Sequence, residues 1–236
     1  MIRSKSFIVG CTLAALLSLG MVVAPRSASA FDAAADFSTN SNPNGVWSYG
    51  WSSTLGGTFN TYTNVDVTSA GFERRYSGLS FDGWPGVERN STGSNVFDAA
   101  TLNDLQAGQL ALVPGAGGQD SIVRWTAPSA GTFSIATSFI ETEQDANSVD
   151  VHVLTNNVSI FNAIMSGFGN PTSFAAVVTV QLGETIDFVV GPNGFQPDDT
   201  TGLSATVVPE PGTVFLVGLG MGGLVVTRSR RKKSTP

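Results

Sequence analysis

Hydrophobic and polar residues alternate along most of the second half of the chain. The alternation is clearest over residues 132–140, where Phe133, Ile135, Thr137 and Phe139 fall on one side. Similar runs follow over residues 149–154, 173–182 and 185–190. Successive side chains of a β-strand point to opposite faces, so a period of two predicts strands with one buried face.

The segments between these runs have the composition of tight turns. They include Pro128, the pair Asn156-Asn157 and Gly183. Glycine and asparagine tolerate backbone angles that other residues avoid, and proline fixes its own φ angle. Residues 31–208 contain no long run with the helical period of 3.6, so they predict one all-β domain of antiparallel strands. The number of predicted strands favours a jelly-roll-like β-sandwich over an immunoglobulin arrangement.

One predicted strand early in the domain, residues 46–51, is aromatic. Trp47, Tyr49 and Trp51 occupy every second position, so their rings share one face. Two interpretations are open: the face lies in the core or covers a sheet edge, or part of it is an exposed surface on which sugars stack. Trp84 lies in a Gly/Pro turn and is either a plug in a loop or a ligand contact.

The N-terminal segment has the order of a secretory signal peptide. Arg3 and Lys5 precede an uncharged apolar run over residues 8–24, which predicts a signal helix. Ala28 and Ala30 provide the small residues that signal peptidase reads, so we expect cleavage after Ala30. The only cysteine lies within this segment, so the mature protein is expected to have no disulfide.

The C-terminal segment has three parts in a fixed order. Pro209, Glu210 and Pro211 come first, followed by an uncharged apolar run over residues 213–226. Five cations then fall within residues 228–233, namely Arg228, Arg230, Arg231, Lys232 and Lys233. As a helix the apolar run would be about 21 Å long, which is short for roughly 30 Å of hydrocarbon. The sequence predicts a short transmembrane helix whose basic end stays on the cytoplasmic side.

This C-terminal segment resembles the PEP-CTERM sorting signal of exported bacterial proteins. The resemblance rests on the Pro-Glu-Pro motif, the glycine-rich apolar run and the basic end of residues 209–236. It implies handling by an exosortase-type membrane protease and removal of the helix and basic end. The mature protein is then expected to be attached at the cell surface or released.

The central region resembles a jelly-roll module of exported bacterial surface proteins. The resemblance rests on residues 123–133, 150–154 and 186–191. The fold of that module is similar to carbohydrate-binding jelly rolls, so the resemblance supports the predicted fold more than a function.

The charge of the domain is strongly negative. Residues 31–208 contain four arginines, no lysine and seventeen acidic residues, which gives a net charge of −13. Such a surface repels nucleic acid and anionic membranes and attracts divalent cations. Nucleic acid is therefore excluded as a partner.

Six acidic residues are candidate calcium ligands, because they cluster in two segments between predicted strands. They are Glu141, Glu143, Asp145, Asp150, Asp198 and Asp199. The alternative is that these residues form a solvated acidic rim. The sequence therefore requires no cofactor, and structural calcium is the one metal ion that it suggests. The only histidine, His152, lies between valines and is expected to be structural, so no catalytic residue is predicted.

Two main hypotheses for the function follow. The first is a non-catalytic module that binds surface polysaccharide through Trp47, Tyr49, Trp51 or Trp84. The second is a purely structural protein of the cell surface or biofilm matrix. A glycan-active hydrolase is the weakest alternative, because nothing in the sequence pairs two carboxylates across a cleft. In each case we expect export, transient membrane anchoring and a final location at the cell surface or outside the cell, with signal peptidase and an exosortase as processing partners.

Overall fold

The computed structural model describes residues 29–78, 85–145, 148–194 and 199–210. These residues form sixteen strands and no α-helix, which confirms the predicted all-β class. The strands are β1 Phe31–Asp32, β2 Trp47–Ser52, β3 Asn60–Thr61, β4 Asn64–Val67, β5 Phe72–Tyr76, β6 Gly86–Asn90, β7 Val96–Asp98, β8 Asn103–Leu105, β9 Leu110–Val113, β10 Asp120–Thr126, β11 Gly131–Glu141, β12 Val149–Thr155, β13 Val158–Met165, β14 Pro171–Val180, β15 Thr185–Gly191 and β16 Thr201–Pro209.

The strands form two large antiparallel sheets and a small hairpin. Sheet A has eight strands in the order β14-β11-β16-β9-β6-β5-β4, with β1 also paired to β16. Sheet B has six strands in the order β13-β12-β15-β10-β2-β3, and β7 pairs with β8 alone. Neighbours in each sheet are mostly distant in sequence, as in a jelly-roll-like sandwich.

The main core lies between the two sheets. Alternate residues of β11 face it, including the buried Phe133, Ile135 and Phe139. Sheet B contributes Val151 and Phe188 from β12 and β15. The period of two seen in the sequence is therefore the alternation between this core and the outer faces of the sheets.

Two smaller clusters cover parts of the outer faces. Leu105 of the β7–β8 hairpin packs with Phe72 and Ala111 on the outside of sheet A. Ile122 and Val189 form a second cluster on the outside of sheet B with Leu154 and Phe59. The outward side chains of β14, such as Ser173 and Ala175, remain exposed.

The last strand carries the chain into the predicted C-terminal segment. β16 pairs with β11 along its whole length, from Glu141 opposite Thr201 to Phe133 opposite Pro209. On its other side β1 places Phe31 opposite Val207. The sandwich thus extends one residue beyond the predicted domain end at Val208.

Both predicted helices fall within residues 1–28 and 211–236, which lie outside the described residues. A helix long and apolar enough to cross a membrane is not found in the part of the chain that the structure describes.

Candidate functional site

The aromatic strand belongs to the core. Trp47 and Tyr49 are both 0% exposed, and Trp51 is half-buried against the same cluster. The indole Nε1 of Trp47 donates to Asp36 Oδ2 at 3.1 Å, and the Tyr49 hydroxyl donates to the Asp36 carbonyl at 3.3 Å. Burial raises the pKa of Tyr49 above its usual value.

Of the two interpretations, Trp47 and Tyr49 therefore follow the core one and offer no surface for sugar stacking, whereas Trp51 packs against the core with only part of its ring. The physical reason is that β2 is an inner strand of sheet B, bordered by β10 and β3, and that it turns its aromatic face towards sheet A. Trp84, the fourth candidate, lies outside the described residues.

Three of the candidate calcium ligands lie buried at one end of the sandwich. Glu141 ends β11, and it lies opposite Thr201 of β16. The backbone N–H of Thr200 donates to Glu143 Oε2 at 3.1 Å, while Glu141 and Asp199 are 1% and 0% exposed. Burial, reinforced by the charge of Asp199, raises the pKa of Glu141 to about 7. Both carboxylate oxygens of Glu141 are buried without a hydrogen-bond partner among the described residues.

The other three candidates are not part of this group as far as the structure describes it. Asp145 is exposed, Asp150 belongs to β12 of sheet B, and Asp198 lies outside the described residues. Within the described ranges, no three carboxylate, histidine or cysteine side chains come together in a way that could hold a metal ion. Calcium binding therefore stays a prediction.

Asp150 instead faces Asp120 across a glycine. A β-carbon placed on Gly191 would lie 2.5 Å from Asp150 Oδ1 and 2.8 Å from Asp120 Oδ1, so these two oxygens are at most about 5.3 Å apart. Burial and the charge of Asp150 raise the pKa of Asp120 to about 6. A hydrogen bond with His152 Nε2, at 2.9 Å, lowers the pKa of Asp150. Two carboxyls with opposite pKa shifts are what acid–base chemistry needs, but Asp120 is only 6% exposed.

A different feature offers access to a large ligand. Three adjoining cavities of about 490, 320 and 280 Å³ run along the outside of sheet A, and together we call them the sheet A trough. The first and second share Ser138 and Ser204. The second and third share Gln106, Gln109 and Ile140.

The floor of the trough consists of small side chains. They come from the outward faces of β11, β14 and β16, and they are Ala136, Ser138, Ser173, Ala175, Ser204 and Thr206. None of the described residues around the first cavity is charged. The three strands are neighbours in sheet A, so these small side chains form one continuous surface.

The far end of the trough is richer in functional groups. Asn95, Gln106 and Gln109 line it together with two acidic residues, Asp104 and the buried Glu141. Phe168 stands at the same end and is 45% exposed. The trough therefore combines hydroxyl and amide donors and acceptors with one open aromatic ring.

The trough could not be predicted from the sequence. Its floor comes from three strands that are far apart in the chain, and small residues in strands give no signal of their own. The one available signal was Phe168, an aromatic residue in the glycine-rich turn Gly167-Phe168-Gly169.

The predicted sorting motif starts inside the sheet. Pro209 is the last residue of β16, and the backbone N–H of Glu210 donates to the Thr132 carbonyl at 2.8 Å. The Ser134 hydroxyl also donates to the Glu210 carboxylate. Of the predicted signal-cleavage residues, Ala30 is described and exposed, whereas Ala28, Pro211 and the five C-terminal cations lie outside the described residues.

The fold and this last strand define the class of the protein: a jelly-roll-like β-sandwich whose final strand leads into a sorting signal. The family model described as the PEP-CTERM protein-sorting motif matches residues 207–232. The chain therefore carries a PEP-CTERM motif, as the sequence predicted, and the motif indicates an exported protein sorted through its C-terminal segment. A comparison with curated protein sequences finds no match.

Several solved structures are similar to the sandwich. A GH26-CBM35 β-(1,4)-mannanase of Podospora anserina is 18% identical with a TM-score of 0.31, over 56% of this chain and 28% of that one. A CBM51 from Clostridium perfringens GH95, in complex with methyl-galactose, is 13% identical with a TM-score of 0.34, over 57% and 99%. The CBM36-1 domain of a multidomain xylanase from the hindgut metagenome of Trinervitermes trinervoides is 14% identical with a TM-score of 0.33, over 53% and 97%.

Proposed function

We propose that the protein is an exported surface or extracellular-matrix protein whose sandwich binds a polysaccharide in the sheet A trough without cleaving it. The observation that carries the proposal is the trough itself, an open groove along three strands with a floor of small hydroxyl and methyl side chains. An extended polymer fits such a groove better than a small compact ligand, because the three cavities adjoin along the strands.

The chemistry of the trough suits a neutral sugar chain. Serine, threonine, glutamine and asparagine side chains donate and accept hydrogen bonds to sugar hydroxyls. Phe168 offers an aromatic face to a sugar ring at one end. The net charge of −13 over residues 31–208 disfavours a polyanionic glycan, so the ligand is neutral or cationic.

The sorting signal gives this binding a location. We propose that signal peptidase removes residues 1–30 and that an exosortase-type membrane protease processes the segment that begins at Pro209. The mature protein is then located at the cell surface or outside the cell, and in both places it can bind polysaccharide. The PEP-CTERM match over residues 207–232 supports this step.

The experiment is glycan-array binding by the purified protein, with Ser204→Phe as the variant that fills the trough. Ser204 is exposed on the floor, so the phenylalanine can occupy the groove without entering the core. The matched control is Ser159→Phe, at an exposed serine of β13 in the other sheet. Binding that is lost in Ser204→Phe and kept in Ser159→Phe supports the proposal, and equal binding by both contradicts it.

A purely structural role is the second candidate, and the edges of the sandwich favour it. β13 and β14 are long edge strands of eight and ten residues without a charged side chain, and Ile164 and Val177 stand exposed on them. The strands at the opposite edges are short, with two residues in β3 and four in β4, and Asp66 lies in β4. Long uncharged edges are the kind that pair with another chain.

The hydrolase alternative would rest on Asp120 and Asp150. The burial of Asp120 leaves the pair little room for a polymer, so we expect no release of reducing sugar from any glycan that the protein binds. Release of reducing sugar by the wild type that is abolished in Asp120→Asn would contradict a non-catalytic function.

A further inference from the structure

We propose that the folded sandwich holds the start of the sorting motif in sheet A, and that β11 must release it before the sorting protease can read it. The inference rests on the proposed processing of the motif. It assigns Thr132 and Ser134 of β11 a function, which is to retain the motif in the sheet until that reaction.

The overlap between the sheet and the motif is direct. The match to the sorting motif begins at residue 207, whereas β16 continues to Pro209. Val207 lies between two strands, opposite Ile135 of β11 and Phe31 of β1. The first three matched residues are therefore strand residues of the folded domain.

The hydrogen bonds continue one residue beyond the strand. Glu210 provides the only main-chain N–H between Pro209 and Pro211, because proline has none. The Thr132 carbonyl accepts that N–H at 2.8 Å. The single main-chain donor of the Pro-Glu-Pro sequence is thus already engaged in the folded protein.

The position of Pro209 fits this arrangement. In an antiparallel pair, hydrogen-bonded residues alternate with residues that exchange no hydrogen bond. Since Glu210 bonds to Thr132, the next pair, Pro209 opposite Phe133, is of the second kind. The proline therefore costs the sheet no hydrogen bond to β11, and the motif can enter the strand without a break.

The side chain of Glu210 is held as well. The Ser134 hydroxyl donates to its carboxylate on the outer face of sheet A. A protease that binds an extended segment contacts the main-chain groups and side chains of that segment. In the folded protein, those of Glu210 are already bonded to β11. When opening is fast relative to cleavage, the rate of processing follows the population of the detached state.

The first test is hydrogen exchange of the full-length precursor in detergent, prepared from cells that lack the sorting protease. The deuterium on the Glu210 amide is resolved by mass spectrometry, because neither flanking proline contributes one. We expect exchange at least about tenfold slower than in a free peptide of residues 205–214. Exchange at the rate of the free peptide would overturn the proposal.

The second test varies the retaining side chain. Ser134→Ala removes one hydrogen bond, so Glu210 exchange should rise roughly two- to fivefold. Ser134→Asp opposes the Glu210 carboxylate with a like charge and should raise it further. Ser159→Ala is the control, because this exposed serine lies in sheet B and its hydroxyl donates to the Phe161 carbonyl of the same strand.

The same variants are then compared by pulse–chase in cells that contain the protease. Faster shortening of the precursor in both Ser134 variants, with Ser159→Ala at the wild-type rate, supports the proposal that retention by β11 limits processing. Equal rates for all four proteins, despite faster Glu210 exchange, would overturn it. If none of them is shortened, the processing itself is contradicted, and Glu210 exchange alone then decides whether the motif is retained.

Discussion

Phe31 lies directly opposite Val207 in sheet A, so the first strand of the sandwich borders the strand that enters the sorting motif. The Phe31 ring also contacts the core, with its centroid 5.8 Å from that of Trp125. The predicted signal cleavage after Ala30 would leave this strand intact. The two processed ends of the mature protein would then meet at one end of the sandwich.

The first prediction concerns the mature N-terminus. We expect signal peptidase to leave Phe31 as the first residue, because removal of Phe31 and Asp32 would delete β1. Intact-mass measurement of the secreted protein checks this. A mature chain that begins after Asp32 would contradict the role assigned to β1.

The second prediction concerns the Phe31 ring. Phe31→Ala removes a half-buried ring from the contact with Trp125, so the free energy of unfolding should fall by about 1–2 kcal/mol. Leu182→Ala is the control, at a side chain that is 71% exposed, and should change the free energy by less than about 0.5 kcal/mol. Urea unfolding of the three proteins gives the comparison, and equal stabilities would show that β1 contributes nothing.

The third prediction is a loss of stability as the pH rises. Burial raises the pKa of Glu88 and of Glu141 to about 7, from 4.5 in an unfolded chain. Between these values the folded protein holds protons that the unfolded chain has released. The contribution of these two groups to the free energy of unfolding is therefore fully present below about pH 4.5, and we expect the free energy to decrease as it is lost up to about pH 7.

Glutamine at position 141 cannot ionise, so Glu141→Gln should flatten part of this decrease. Asp145→Asn is the matched control at an exposed carboxyl and should leave the slope unchanged. Urea unfolding at intervals from pH 4.5 to 7.5 measures the slope for each protein. A slope in Glu141→Gln that equals the wild-type slope would show that Glu141 is not titrating in this range.

The fourth prediction tests the structural alternative through the edge strands. If copies of the protein pair along β14, Val177→Lys should reduce self-association, because a charge on an edge strand blocks pairing. Val67→Lys on β4 is a closely matched control, since the two valines are 64% and 65% exposed. Sedimentation velocity over a concentration series measures the effect, and identical behaviour of both variants would argue against a β14 interface.

The fold could be predicted from the sequence because its longest strands, such as β11 and β14, alternate between buried and more exposed residues. Residues 132–140 alternate, and they lie in β11 with Phe133 and Ile135 in the core, as expected. β1 and the β7–β8 hairpin were not predicted, because strands of two or three residues are too short to show a period.

The candidate site could be predicted only in part. A period of two placed Trp47, Tyr49 and Trp51 on one face correctly, but it does not tell which face is buried. That depends on sheet A, whose side chains pack against the aromatic face of β2 in the core. The trough depends in the same way on the pairing of β11 with β14 and β16, which places Ser138 opposite Ser204 although the two are far apart in the chain.

Two exposed phenylalanines give the sharpest test of polysaccharide binding in the sheet A trough. Phe168 stands at the end of the trough and is 45% exposed, whereas Phe97 on β7 is 47% exposed and is not among the residues that line it. With a neutral oligosaccharide from the array, titration calorimetry should give a dissociation constant about tenfold weaker for Phe168→Ala, because loss of a stacking ring costs roughly 1 kcal/mol or more. Phe97→Ala should bind like the wild type. Equal affinity of both variants, or no binding of any neutral glycan by the wild type, would contradict polysaccharide binding in the sheet A trough.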